Sequence, residues 1–253
     1  MAEPILKVEG LIKHFGGVYA VDNVDLEILP GEIHAVIGPN GAGKTTFVAQ
    51  LSGLLAPDAG SIVFDGHDIT GLSAPQRSHL GLARSFQITS IFRNFTALEN
   101  VALSIQAHAG HSFRFWRAAM SDPELVDPAR ALLDEIGLGQ RADILASNLA
   151  HGEQRQLEIA MALATGPKLL LLDEPTAGMG LEDSERIRGF LAGLKGTYSM
   201  LLIEHDMDTV FALADRITVL VYGKAIATGT PAEIRGNAEV RSAYLGEDEA
   251  VGA

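Results

Sequence analysis

Lys44 and Thr45 close the run Gly38-Pro39-Asn40-Gly41-Ala42-Gly43-Lys44-Thr45, which fits the pattern G-x-x-x-x-G-K-[ST]. An ammonium, a hydroxyl and a glycine-rich backbone at that spacing are the parts of a phosphate cradle. Glycines let the chain turn its N–H groups inward, and the helix that follows adds positive potential at its N-terminus. In such a cradle Lys44 reaches the β and γ phosphates of a nucleoside triphosphate, and Thr45 offers its hydroxyl to Mg²⁺. The candidate nucleotide contacts run from Gly38 through Thr46.

Further along, Leu169-Leu170-Leu171-Leu172 ends in Asp173-Glu174. A phosphate-loop enzyme needs an acid at such a strand end to hold Mg²⁺, directly or through water. Asp173 suits that role, and Glu174 beside it suits a general base that polarises the attacking water. His205, in Ile203-Glu204-His205-Asp206, can hydrogen-bond the γ-phosphate and that water; taken alone it is equally a surface histidine at a strand end. Gln87, in Ala83-Arg84-Ser85-Phe86-Gln87, can sense Mg²⁺ and water through its amide; taken alone it is a polar loop residue.

These groups need a scaffold. Ile33-His34-Ala35-Val36-Ile37 before the loop predicts a short buried strand, and residues 46–51 after it predict a helix. Leu6, Val8, Val24, Leu26 and Ile28 alternate with polar residues and mark half-buried strands. Ala56-Pro57-Asp58-Ala59-Gly60 predicts a turn before a strand at 61–64. Lys168 to Leu172 and Ser199 to Ile203 are continuous apolar strands, suited to a parallel sheet covered on both faces. A helix near Glu182 to Lys195 separates them. Residues 217–221 and 225–228 predict a hairpin about Tyr222-Gly223-Lys224. From about Ser73 to Thr165 strand signals are few and helical patches frequent, as at Ala129 to Ile136. The expected fold class is α/β: a phosphate-loop core with a mixed, mainly parallel sheet, an N-terminal antiparallel portion and an inserted helical subdomain. The core is placed at 1–86 and 166–246, the helical subdomain at about 87–165, and a frayed acidic tail at 247–253.

The composition narrows the partners. About half of the residues are apolar (47%), enough for a sizeable core. A net charge of −13 argues against binding nucleic-acid phosphates or anionic lipid. With no cysteine there is no disulfide scaffold and no thiolate metal site, which suits a reducing compartment. The N-terminus lacks a signal-peptide pattern, and the densest apolar run, at 169–172, is far too short to span a bilayer. Work at a membrane therefore requires partner chains.

The segment Asn148-Leu149-Ala150-His151-Gly152-Glu153-Gln154-Arg155-Gln156-Leu157-Glu158-Ile159-Ala160 leads from a turn into a helix whose N-terminus can face an anion. At its distance before Asp173-Glu174 it resembles the signature motif of the ATP-binding-cassette ATPases. The resemblance spans nearly the whole chain, in the order Phe15, phosphate loop, Gln87, signature at 149–153, Asp173-Glu174, the turn at 177–180, and His205. It implies two cassettes packed head to tail, with ATP between the phosphate loop of one and Ala150, His151, Gly152 and Glu153 of the other. It also implies that Phe15 stacks on adenine, where the plainer alternative is a core aromatic at a strand end.

Within the family, His14-Phe15-Gly16-Gly17, residues 81–87, Leu98-Glu99-Asn100-Val101, residues 152–160 and Ala243-Tyr244-Leu245-Gly246 resemble the subgroup that serves branched-chain (hydrophobic) amino-acid import in bacteria. That implies two transmembrane permease subunits, a second ATPase chain as homo- or heterodimer, an extracytoplasmic solute-binding protein, and a place at the cytoplasmic face of the inner membrane held by the permeases. A lipopolysaccharide-type exporter ATPase and a soluble non-transport cassette are the alternatives. The chain departs from the family pattern at Ala150, usually serine, at His151, usually glycine, and at Gly180, usually aspartate. Phe113-Arg114-Phe115-Trp116-Arg117 joins aromatics to cations and suits packing, or contact with a permease or the lipid headgroup boundary. His108 and His111 are taken as solvated loop residues.

Overall fold

Alternating apolar residues at the N-terminal end build the first sheet. β1 (Leu6–Phe15) and β2 (Val18–Ile28) pair antiparallel, with Leu6 opposite Ile28 and Val8 opposite Leu26. After β3 (Ile33–Ile37) and α1 (Lys44–Leu51), β4 (Ala59–Phe64) returns antiparallel to β1, and the short β5 (His67–Asp68) extends it. The four-stranded order is β2-β1-β4-β5. The computed structural model describes residues 3–85, 91–108 and 119–248.

α2 (Ala74–His79) leads into β6 (Leu82–Arg84), which pairs parallel with β7 (Leu169–Asp173). The strand at 82–84 lies within the segment assigned to the core but is not itself foreseen in the sequence, since three residues are too few to register a periodicity. β7 pairs with β8 (Ser199–Ile203), β8 with β3, and β3 with β9 (Arg216–Val221), all parallel. β10 (Lys224–Gly229) closes the other edge antiparallel to β9. The six-stranded order is therefore β10-β9-β3-β8-β7-β6, a mixed and mainly parallel sheet as the sequence predicts. Tyr222 and Gly223, with φ of +47° and +81°, form the whole hairpin turn, both left-handed as a type I′ turn requires. Lys224, expected in the turn, is already strand.

The leucines of β7 show why its apolar run is unbroken. Leu169 and Leu171 face a core shared with Phe47 of α1 and the antiparallel sheet. Leu170 and Leu172 face the opposite core, with Ile187 and Leu191 of α6 (Leu181–Leu194) and Val210 of α7 (Met207–Leu213). Each fully buried leucine contributes about 1.5–3 kcal/mol relative to exposure. A third core joins Val101 of α3 (Ala97–His108), Leu133 of α4 (Pro123–Glu135) and Leu157 of α5 (His151–Leu163). α5 serves two cores: Ile159 and Leu163 pack on the sheet, while Leu157 and Ala160 pack on the helices. α8 (Pro231–Gly236) and α9 (Ala238–Asp248) add Ile234 and Val240 beneath the sheet. The acidic tail expected to fray from Glu247 is helical through Asp248.

Two further differences concern side chains. His108, expected to be solvated, ends α3 with its ring stacked on His79, centroids 5.7 Å apart. His111 and Phe113–Arg117 lie outside the described residues. At the start of the loop-bearing strand, buried Glu32 accepts from Arg216 Nε at 2.7 Å and lies 3.0 Å from His34 Nδ1, while His34 Nε2 lies 2.8 Å from Thr218 Oγ1. Burial pushes the Glu32 carboxyl upward, but hydrogen bonds with His34, Arg216 and the Leu29 N–H outweigh it and hold it at about 2. The network fixes β3 against β9 and so fixes where the phosphate loop departs.

Candidate nucleotide site

Strand register brings the candidate residues to one edge. Val36 of β3 and Asp173 of β7 both stand opposite Ile203 of β8. The phosphate loop after β3, the two carboxylates at the end of β7 and His205 after β8 therefore leave the sheet together, at its carboxyl edge. Open parallel sheets bind ligands at that edge.

The loop is tight because backbone crowds it. Gly43 caps α1 with φ of +99°, and a Cβ there would overlap the Ala20 carbonyl. At Gly38 a Cβ would overlap the Leu220 carbonyl. Gly223 N–H donates to Ala42 O at 3.0 Å, which ties the loop to the β9–β10 turn. Lys44 Nζ donates to Gly38 O at 2.6 Å and Pro39 O at 3.0 Å, so the ammonium lies across the loop it is expected to serve. Residues 40–46, Ala20 and Glu174 line one open cleft. Glu174 and the loop, distant in sequence, thus face the same space. Phe15, His205 and residues 150–153 are not among the residues lining it.

Asp173 is buried, and its Oδ2 accepts from Arg84 Nη2 at 2.8 Å; Arg84 Nη1 also donates to Ser52 Oγ at 3.1 Å. Glu174 follows with φ of +47°, an uncommon conformation for a residue with a side chain, and its N–H donates to Ile203 O at 2.9 Å. Such outliers persist where surroundings over-determine them, and they gather at functional sites. The next turn is held by Glu204, which is fully buried. It accepts from Thr176 N at 3.0 Å, Thr176 Oγ1 at 2.5 Å and His205 N at 3.1 Å. The His205 side chain stands 62% exposed, with Nδ1 3.8 Å from Glu204 Oε2. Gln87 lies outside the described residues. Phe15 is 53% exposed at the end of β1, which removes the core-aromatic reading, and Lys13 Nζ lies 5.8 Å from its ring centre.

α5 begins at His151, with Ala150 as its N-cap in extended conformation. Alanine offers no oxygen to the first N–H groups of the helix. Glu153 Oε2 accepts from Ala150 N at 3.0 Å, and its Oε1 from Arg141 Nε at 3.2 Å. A Cβ at Gly152 would stand 2.6 Å from Asp183 Oδ1, so α6 already crowds this helix start. Ala150→Ser is expected to raise stability by about 1 kcal/mol as a new N-cap, read as a higher melting temperature. Gly152→Asp is expected to destabilise, since it sets a second carboxylate against Asp183. A lower melting point for Ala150→Ser than for Gly152→Asp would contradict this account of the cap. Gly180, by contrast, has φ of −73° and open space around its Cβ position, so nothing local demands glycine there.

Sequence reasoning missed Arg84, Glu204 and Arg155. Arg155 and Glu158 carried a signal, since both sit in the otherwise apolar register of Leu157, Ile159 and Ala160 and are buried with them.

Comparison with known proteins agrees with this geometry. The profile of the ABC transporter family matches residues 21–177, and that of the branched-chain amino acid ATP-binding cassette transporter matches residues 226–250. The chain is 41% identical over 256 residues to the high-affinity branched-chain amino acid transport ATP-binding protein LivG of Escherichia coli K12, covering 98% of this chain and 100% of that one. It is 39% identical to BraF, of the same description, from Pseudomonas aeruginosa, with 98% and 100% covered. The crystal structure of the ADP conformation of MJ1267, an ATP-binding cassette of an ABC transporter, superposes with a TM-score of 0.85 at 30% identity, covering 97% of this chain and 100% of that one. The dimeric cassette MJ0796 bound to ADP and phosphate superposes at 0.73 with 27% identity, covering 89% and 98%. With the family profile over more than half its length and close relatives over nearly all of it, the chain belongs to the ATP-binding-cassette transporter family, as one of its ATP-hydrolysing cassettes.

Proposed function

We propose that this chain powers a membrane importer for branched-chain or other hydrophobic amino acids. The observation that supports this most directly is the match of residues 226–250 to the branched-chain cassette profile, beside full-length likeness to LivG and BraF. No helix among the described residues is long and apolar enough to cross a membrane. In this reading two permease chains hold the cassette at the cytoplasmic face, a second cassette completes the dimer, and an extracytoplasmic binding protein delivers solute.

The residue roles in this reading are those the sequence motifs and the family resemblance suggest, and the shared cleft of residues 40–46 and Glu174 supports part of them. Residues 38–46 hold the triphosphate, with Lys44 on the β and γ phosphates, and Phe15 offers an exposed ring to adenine. Mg²⁺ takes hard oxygen ligands, and the Thr45 hydroxyl and the Asp173 carboxylate supply them at the same sheet edge. An ion held by these two residues would neutralise charge on the β and γ phosphates. Arg84 holds one oxygen of Asp173 and so fixes that carboxylate's orientation. Glu174 takes a proton from the attacking water, and His205 hydrogen-bonds the γ-phosphate. Gln87 links this site to the permeases. Ala150, His151, Gly152 and Glu153 present the α5 N-terminus to the nucleotide of the partner cassette. The ATP-binding core comprises 1–86 and 166–246, and the helical subdomain about 87–165, with α5 packed into both.

The test is reconstitution with candidate permease chains and a solute-binding protein from the same organism. Leucine, isoleucine or valine is expected to stimulate ATP hydrolysis in proteoliposomes. Stimulation by lipopolysaccharide, with no response to amino acids, would favour the exporter reading instead.

A further inference from the structure

Arg155 sits in the second turn of α5 and is only 5% exposed. Its guanidinium spans three consecutive backbone carbonyls at the C-terminal end of β7. Nη2 donates to Asp173 O at 3.0 Å and Glu174 O at 3.3 Å, and Nε donates to Pro175 O at 3.3 Å. Nη1 donates to Glu158 Oε2 at 2.6 Å, three residues along the same helix and equally buried. The carbonyls lie where the ladder of β7 ends, so they need partners from elsewhere. A planar fork with donors in fixed directions can serve three of them and a carboxylate together; an ammonium, a single point charge, cannot.

Those carbonyls belong to the turn that holds Glu174 in its left-handed conformation. One turn before Arg155 on the same helix is its N-terminus at His151. We infer that Arg155 is a positioning residue that couples the α5 N-terminus to the Glu174 carboxylate. The inference rests on the reading above, in which that N-terminus meets the partner's nucleotide and Glu174 serves the chain's own. Nucleotide arriving at one composite site then aligns the base of the other, because α5 moves as a rigid rod and the guanidinium carries its displacement to residues 173–175. Glu158 keeps the buried cation neutralised and its fork oriented. Misplacing a catalytic group by about 1 Å lowers rate about 100-fold.

Two variants of the full chain test this. Arg155→Lys keeps the charge beside Glu158 and loses the fork. Arg155→Met with Glu158→Met removes both buried charges, leaving neither unpaired. Both are expected to lower kcat about 100-fold with ATP affinity unchanged and the Hill coefficient for ATP falling toward one. Combined with Glu174→Gln, both are expected to form the ATP-dependent dimer as Glu174→Gln alone does. Parental kcat and Hill coefficient in Arg155→Lys would overturn the inference. So would loss of ATP affinity and of the dimer in step with a lower melting temperature, which marks a purely structural residue. If Glu174→Gln alone turns over at the parental rate, the reading of Glu174 as base fails first, and the two failures are told apart.

Discussion

Glu174→Gln is expected to bind ATP as the parent does and to lose turnover by a factor on the order of 10²–10⁴. The glutamine amide fills the same space in the cleft but cannot accept a proton from water. The backbone of residue 174 is fixed from outside the side chain, by its N–H to Ile203 O and by Arg155 on its carbonyl, so the substitution leaves the left-handed turn in place. Loss of rate with retained binding thus isolates the proton transfer. Trapped ATP should also hold two cassettes together, and light scattering reads that as an ATP-dependent doubling of mass. Parental turnover in this variant would remove Glu174 from the role of base, whatever its place in the cleft.

Lys44→Ala is expected to weaken ATP binding by at least about 1.5–3 kcal/mol, the worth of a hydrogen bond to a charged group, which exceeds tenfold in affinity. The γ-phosphate loses its main cation, while the glycine backbone and the α1 N-terminus remain. Without nucleotide, the ammonium lies on Gly38 O and Pro39 O, so the variant also frees two loop carbonyls. Pro39 is only partly buried and its carbonyl can turn to water, whereas Gly38 is buried, so its unpaired carbonyl is expected to cost about 1–3 kcal/mol of stability. Calorimetry for ATP and thermal unfolding for the fold separate the two effects. Unchanged ATP affinity would refute the phosphate-cradle assignment, and a collapsed melting transition would make this lysine a structural residue first.

The phosphate loop, the strand before it, the helix after it and the two-sided burial of β7 and β8 were legible in the sequence. Each is a local pattern: a glycine spacing, or an apolar run bounded by turns. The same holds for the alternation that set β1 against β2, and for the helix start after Ala150. The boundaries missed by a residue or two, as at Lys168, which precedes β7, and Lys224, which begins β10. β6 left almost no trace, because three residues carry too little pattern and its strand character comes from pairing with β7, more than eighty positions away. Gln87 and the Phe113–Arg117 cluster lie outside the described residues and remain expectations of the sequence.

By itself, then, the sequence determined which residue types could do chemistry here and which strands had to carry them, because periodicity and motif spacing are properties of neighbours along the chain. Only the tertiary structure decided how those residues are held. Arg84 reaches Asp173 across 89 positions, Glu204 reaches back 28 to Thr176, and Arg155 reaches 18 ahead to the carbonyl of Asp173. Those partners are chosen by strand order and by the packing of α5 against the sheet. A buried polar group must find a partner wherever the fold places one, and no local pattern can name it.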